Sequence, residues 1–175
     1  MLDKEAALTT ISSPQFLRAA GLAGVGAGLV TALIWLLPLV YGSPTSLAER
    51  VELHADPLFL LRLWLSFINV FLILVASWGL TAHRLRASPG AASTGMLFLV
   101  FYGAAELLGR SAMIFTQQYR WIHQLQSETD PERVQALERA VSTFDEVFRG
   151  WFPLLLIAFA LSSACLLYTS DAADE

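Results

Sequence analysis

AAGLAGVGAGLVTALIWLLPLVY, residues 19–41, decides the fold class: 23 consecutive positions carry no charge. A bilayer core about 30 Å thick is crossed by about 20 helical residues rising about 1.5 Å each, so the run is long enough to span. It is too long for the core of a signal peptide and lacks a convincing small-x-small cleavage site, so it reads as a retained first span. Ser13-Pro14 supplies an N-cap followed by a proline in the first helical position. Pro38 sits near the end of the run, where a kink costs little, and Trp35 and Tyr41 suit an interfacial belt.

The whole composition leans the same way. The 175 residues are 55% apolar and only 15% charged, against about 45–50% and about 25% in an average globular chain. Disorder is excluded by the same figures. A net charge of −4 offers no basic surface for nucleic acid, and a single cysteine excludes a disulfide framework.

Three further apolar runs follow. Residues 42–56 form a polar connection in which Ser46 and Glu49 have capping-box spacing, predicting a short helix through about Leu53. Asp56-Pro57 opens the second span, uncharged over 63–82, with Trp64 and Trp78 toward its ends. His83-Arg-Leu-Arg86 and Ser88-Pro-Gly90 read as a short basic turn. The third run, 95–116, contains Glu106 and Arg110 and continues as helix to about Leu125. Thr129-Asp130-Pro131-Glu132 starts another helix, on which Val134, Leu137, Val141, Phe144 and Phe148 recur every three or four residues. Gly150 and Pro153 punctuate before a fourth apolar run from 151. The expected spans are 14–41, 57–84, 94–125 and 151–168, with the 134–148 stripe folded against 117–125 as an outer hairpin.

Polar residues inside spans are the candidate site, because charges there are costly and face protein or water. Glu106 and Arg110 are spaced i, i+4 in the favourable order, and Arg110 leans back toward Glu106. They are expected to pair toward the interior, with Arg62 or Asn69 at the edge. Arg62, Ser66, Asn69 and Ile73 share one face of the second span, as a solute path or as interhelical glue. Gly24 and Gly28 form a small-xxx-small pair, expected to pack against helices of the same chain rather than a second copy. Glu49, Glu52, His54 and Asp56 match no metal-ligand spacing, and no metal or cofactor is expected. His83 and His123 read as interface residues. Catalytic motifs of the GxSxG, HExxH and phosphate-loop kinds are absent, so no enzyme activity is expected.

Residues 165–175, Cys-Leu-Leu-Tyr-Thr-Ser-Asp-Ala-Ala-Asp-Glu, resemble the translated mosaic end of a transposase library adapter at all eleven positions. The resemblance implies a scar, with 1–164 a single membrane domain at the N-terminal end of a longer protein. Setting aside Asp171, Asp174 and Glu175 takes the formal charge from −4 to −1.

The fold expectation is therefore all-α: a polytopic membrane helix bundle of four transmembrane helices with an extramembrane helical hairpin. The basic, acid-free 83–94 turn places the N-terminus in the cytoplasm, with Lys4, Arg18, Arg84 and Arg86 inside. The compact loops suggest a bacterial inner membrane. The expected function is a structural or partner-binding membrane subunit. The expected partners are the lipid bilayer and either other membrane subunits or further copies of the chain. The alternative is a fragment of a transporter or ion-coupled carrier using Glu106.

Overall fold

The computed structural model describes residues 13–85 and 87–167. Lys4, Arg86 and residues 168–175, which entered the orientation and scar readings, lie outside the described residues. Every described element is helical. Helix α1 (Pro14–Leu36) leads through one further turn, α2 (Pro38–Tyr41), to a short α3 (Leu47–Glu52) and a 3-10 turn (Leu53–Ala55). Then come α4 (Pro57–Arg84), α5 (Pro89–Ser111), a π-helix (Ala112–Ile122), α6 (His123–Ser127) and α7 (Pro131–Leu167). Four stretches are long and apolar enough to cross a membrane: Pro14–Tyr41, Pro57–Arg84, Pro89–Ser127 and Pro131–Leu167.

The helix starts follow local chemistry. Ser13 Oγ accepts from the Phe16 N–H, and Asp56 Oδ1 accepts from the N–H groups of Leu58 (2.8 Å) and Phe59 (2.9 Å). Asp130 Oδ1 accepts from the Glu132 N–H ahead of α7. Each such cap contributes about 1 kcal/mol. At α3 the Ser46 Oγ accepts from the Glu49 N–H, and the Glu49 carboxylate returns to the backbone ahead of the helix, most closely to the Thr45 N–H. After α2, Gly42 takes φ 80° and ψ 143°, a conformation that side chains disfavour.

Two boundaries differ from the sequence reading. The expected basic turn ends sooner, because Pro89 opens α5 instead of belonging to a loop. Gly150 and Pro153 do not separate a charged helix from a fourth span: both lie inside the continuous 37-residue α7. Proline lacks only its own N–H, so one intrahelical bond is forgone, and a long apolar helix tolerates that.

The chain forms two compact units. Of the described residues, the first comprises 13–29, 70–85, 87–104 and 155–167. It is held by close approaches at small residues. Gly79 lies against Ala20, Gly24 faces the Ala76 Cβ, Gly103 faces the Leu74 methyls, and Gly95 faces Leu166. Thr81 Oγ1 returns to the Ser77 carbonyl, and the Tyr102 and Phe159 rings meet at 5.2 Å.

The second unit comprises Val30–Asn69 and Ala105–Leu154. Tyr41 meets Phe59 edge-on, and Trp64 lies between Phe67 and Phe115 while donating to the Tyr119 hydroxyl. Along α7, Val134, Leu137, Val141, Phe144 and Phe148 are all buried or half-buried; Glu132, Arg133, Glu138, Arg139, Glu146 and Arg149 are exposed, and Asp145 is half-buried. Phe144 meets Trp121 edge-on, so this stripe faces the segment the sequence named, though the facing turn is π-helical.

Candidate functional site

On α5 the positions Ala92, Leu99, Gly103, Glu106, Arg110 and, beyond it, Ile114 recur at near-heptad spacing, and most are buried. That periodicity turns Glu106 inward: it is 5% exposed. Arg110, one turn on, donates from Nε to Glu106 Oε1 (2.9 Å), and its Nη2 lies 2.8 Å from the same oxygen as an ion pair. Its guanidinium also lies over the Phe148 ring, 5.8 Å from the centroid. Gly109 allows this approach, since a Cβ there would meet Phe148. The second carboxylate oxygen, Glu106 Oε2, is buried without a hydrogen-bond partner.

The other polar residues of the predicted cluster are engaged elsewhere in the same unit. Arg62 donates from Nε to the Ile34 carbonyl and from Nη1 to the Tyr41 hydroxyl, both at 3.2 Å. Asn69 donates from Nδ2 to Thr31 Oγ1 at 2.9 Å, and its own Oδ1 is buried without a partner. Ser66 donates to the Arg62 carbonyl within its helix. The face Arg62, Ser66, Asn69 therefore ties α4 to the end of α1 and to α2. Among the described residues no hydrogen bond joins it to the Glu106–Arg110 pair; its donors are taken by the Ile34 carbonyl and by the Tyr41 and Thr31 hydroxyls.

In the first unit, a Cβ on Gly24 would meet the Ala76 Cβ at ordinary van der Waals distance, while one on Gly28 would meet nothing within 4 Å. Within the described chain only Gly24 of the pair has a neighbour at its face. The buried face of α1 is Ala20 and Ala27 with Gly24 between them. The glycines with the tightest surroundings, Gly79, Gly95, Gly103 and Gly109, were not distinguished by their spacing.

A second polar cluster lies where α3, the 3-10 turn and the π-helix meet α6 and α7 in the second unit. Gln117 and Gln118 are each 3% exposed. The wider π turn lets these consecutive residues both point inward, to different neighbours. Gln117 donates to Asp145 Oδ1 at 2.7 Å, and Asp145 also accepts both bonds from Arg50 Nη1. Gln118 Nε2 lies 3.1 Å from His54 Nδ1, and the opposite His54 nitrogen faces His123. Burial, and then the facing imidazole of His123, hold His54 below the ordinary histidine value. The N–H and hydroxyl of Thr45 hold Glu49 below the usual carboxylate value.

The chain matches no protein-family model, no curated protein and no solved structure. Of the four residues 49, 52, 54 and 56 weighed as cation ligands, Glu49 is tied to Thr45 and Asp56 to the α4 cap. Among the described residues no group of three or more His, Cys, Asp or Glu gathers.

Proposed function

We propose that the chain is a multi-pass integral protein of a bacterial inner membrane, N-terminus cytoplasmic, serving as a structural or partner-binding subunit. The observation that carries the membrane reading is an inverted polarity. Leu22, Val25, Leu29 and Leu33 on α1, Phe71 and Val75 on α4, Val100 and Leu108 on α5, and Leu154 and Ile157 on α7 are exposed. Ser66, Asn69, Thr81, Glu106 and Ser162 are buried. Water disfavours that arrangement, and a hydrocarbon surround favours it.

Length supports the hairpin. At about 1.5 Å per residue, the 39-residue Pro89–Ser127 and 37-residue Pro131–Leu167 stretches reach well over 50 Å, against a core of about 30 Å. The excess of both is the polar end around residues 117–150. In a subunit role, the Glu106–Arg110 pair is a charge already neutralised within one helix, requiring no ligand. Reporter tags at residue 87 and residue 129 should lie on opposite sides of the membrane, with residue 87 cytoplasmic. Both tags on one side would overturn the four-span reading.

The unpartnered Glu106 Oε2 favours a second reading, an ion-coupled carrier in which that oxygen accepts a proton or cation. Glu106→Gln separates the two. A subunit keeps its assembly, with reduced stability. A carrier loses pH-dependent transport into vesicles that hold a pH-sensitive dye.

A further inference from the structure

His54 and His123 stand 69 residues apart in the chain, yet the 3-10 turn and the end of the π-helix bring their rings together. His54 Nε2 lies 3.3 Å from His123 Nδ1, the ring centroids are 5.3 Å apart and the planes are inclined by 36°. Two nitrogens each ~2.0–2.1 Å from one tetrahedral zinc ion lie ~3.3–3.4 Å apart. With no ion bound, the same gap is a hydrogen bond between the two rings, at the long end of the usual range. We propose that His54 Nε2 and His123 Nδ1 form a chelating site for one divalent transition-metal ion of the zinc or copper class.

Imidazole nitrogen is the ligand these ions favour, where calcium and magnesium want oxygen. The surroundings suit the role. His123 is exposed, so an ion has access from solvent. His54 is half-buried and gripped on its far side by the buried Gln118, which fixes the ring with Nε2 aimed at His123.

Binding at Nε2 moves the His54 ring proton to Nδ1. Gln118 meets that proton by turning its carboxamide so that Oε1 accepts, giving up the 3.4 Å bond its Nε2 donates to the His54 carbonyl; ligating histidines usually donate their other ring N–H in this way. With Glu49 and Asp56 committed elsewhere, the protein supplies two nitrogens. Water or a ligand from a partner completes the shell, so the site is open and weaker than a closed four-ligand structural site.

The test uses the full chain in detergent micelles at about pH 7.5, without a polyhistidine tag, titrated with zinc and, separately, with copper. The expected result is saturable binding of one zinc ion per chain and a copper spin-resonance spectrum showing two imidazole nitrogens. Removing an outer-shell partner of a metal typically costs about 10–100-fold in affinity, so His123→Ala, which deletes a ligand, should weaken zinc at least tenfold. His54→Ala should do the same, His83→Ala should change nothing, and Gln118→Glu should tighten binding. His123 is exposed, so its loss leaves the fold intact even if the His54 variant does not fold. Absence of saturable zinc binding, zinc affinity unchanged in His123→Ala, or a copper spectrum with one imidazole nitrogen would each overturn the proposal.

Discussion

Arg110→Met should cost the protein about 3–5 kcal/mol, the usual cost of leaving one member of a buried ion pair uncompensated. Glu106 is nearly inaccessible, and both Arg110 donors converge on its Oε1. Its Oε2 has no partner to share the charge. Without the guanidinium, the carboxylate must either stay charged in a dry site or take up a proton, and both cost free energy. Glu106→Gln should be milder, about 1–3 kcal/mol, because the amide keeps an acceptor for Arg110. Arg110 also keeps its seat over the Phe148 ring, and its side chain is 23% exposed. The double variant Glu106→Gln, Arg110→Met buries no charge and should recover most of the loss of the Arg110 single variant. Unfolding in mixed detergent micelles measures all three. Additive losses would show that the two side chains are not coupled, and that Arg110 stabilises the fold through Phe148 alone.

The elements built from local chemistry were the legible ones. Asp56-Pro57 and the basic end at Arg84 delimit α4 as the sequence suggests, because caps and prolines act within one turn. Glu106 facing inward was legible too, since its i, i+4 partner and the small residues Ala92 and Gly103 share its face. Pro153 misled because a proline forgoes one intrahelical hydrogen bond without ending a helix whose neighbouring turns are held by their own packing, and α7 runs on through it. The π-helix was not legible: an i→i+5 pattern has no residue signature, and Gln117-Gln118 looks like any polar helix end. The His54–His123 and Arg50–Asp145 contacts join segments 69 and 95 residues apart. Periodicity reports which face a residue takes and says nothing of which distant segment that face meets. The same gap explains the glycines. Spacing singled out Gly24 and Gly28, whereas the closest helix approach occurs at Gly79, a lone glycine whose importance depends on Ala20 standing opposite.

That approach makes Gly79 the position where a single added carbon matters most. A Cβ at Gly79 would overlap the Ala20 Cβ, with the Ala20 Cα at 3.7 Å. Ala20 has no flexible side-chain end to swing away; its methyl is fixed to the α1 backbone, so α1 itself must move. The neighbouring crossings, where Gly24 faces Ala76 and Gly26 faces Leu72, would open with it. Overpacking a tight contact costs about 1–3 kcal/mol, and alanine's better helix propensity returns about 1 kcal/mol at most. Gly79→Ala should therefore be destabilising, and Gly79→Leu should release α1 from its neighbours. Gly103→Ala is the internal comparison. Its Cβ would press on the Leu74 methyls at 2.5–2.9 Å, which a rotamer change relieves, so its cost should be smaller. Gly28→Ala meets nothing within 4 Å and should be neutral or stabilising by about 0.4–1 kcal/mol. The expected order of stability is Gly28→Ala, then Gly103→Ala, then Gly79→Ala, then Gly79→Leu, read as resistance to detergent-induced unfolding. A cysteine cross-link between α1 and α4, placed at positions 24 and 76, should form readily in the Gly28 and Gly103 variants and fail in Gly79→Leu. Gly79→Leu as stable and as readily cross-linked as the parent chain would mean that α1 is not held at this crossing.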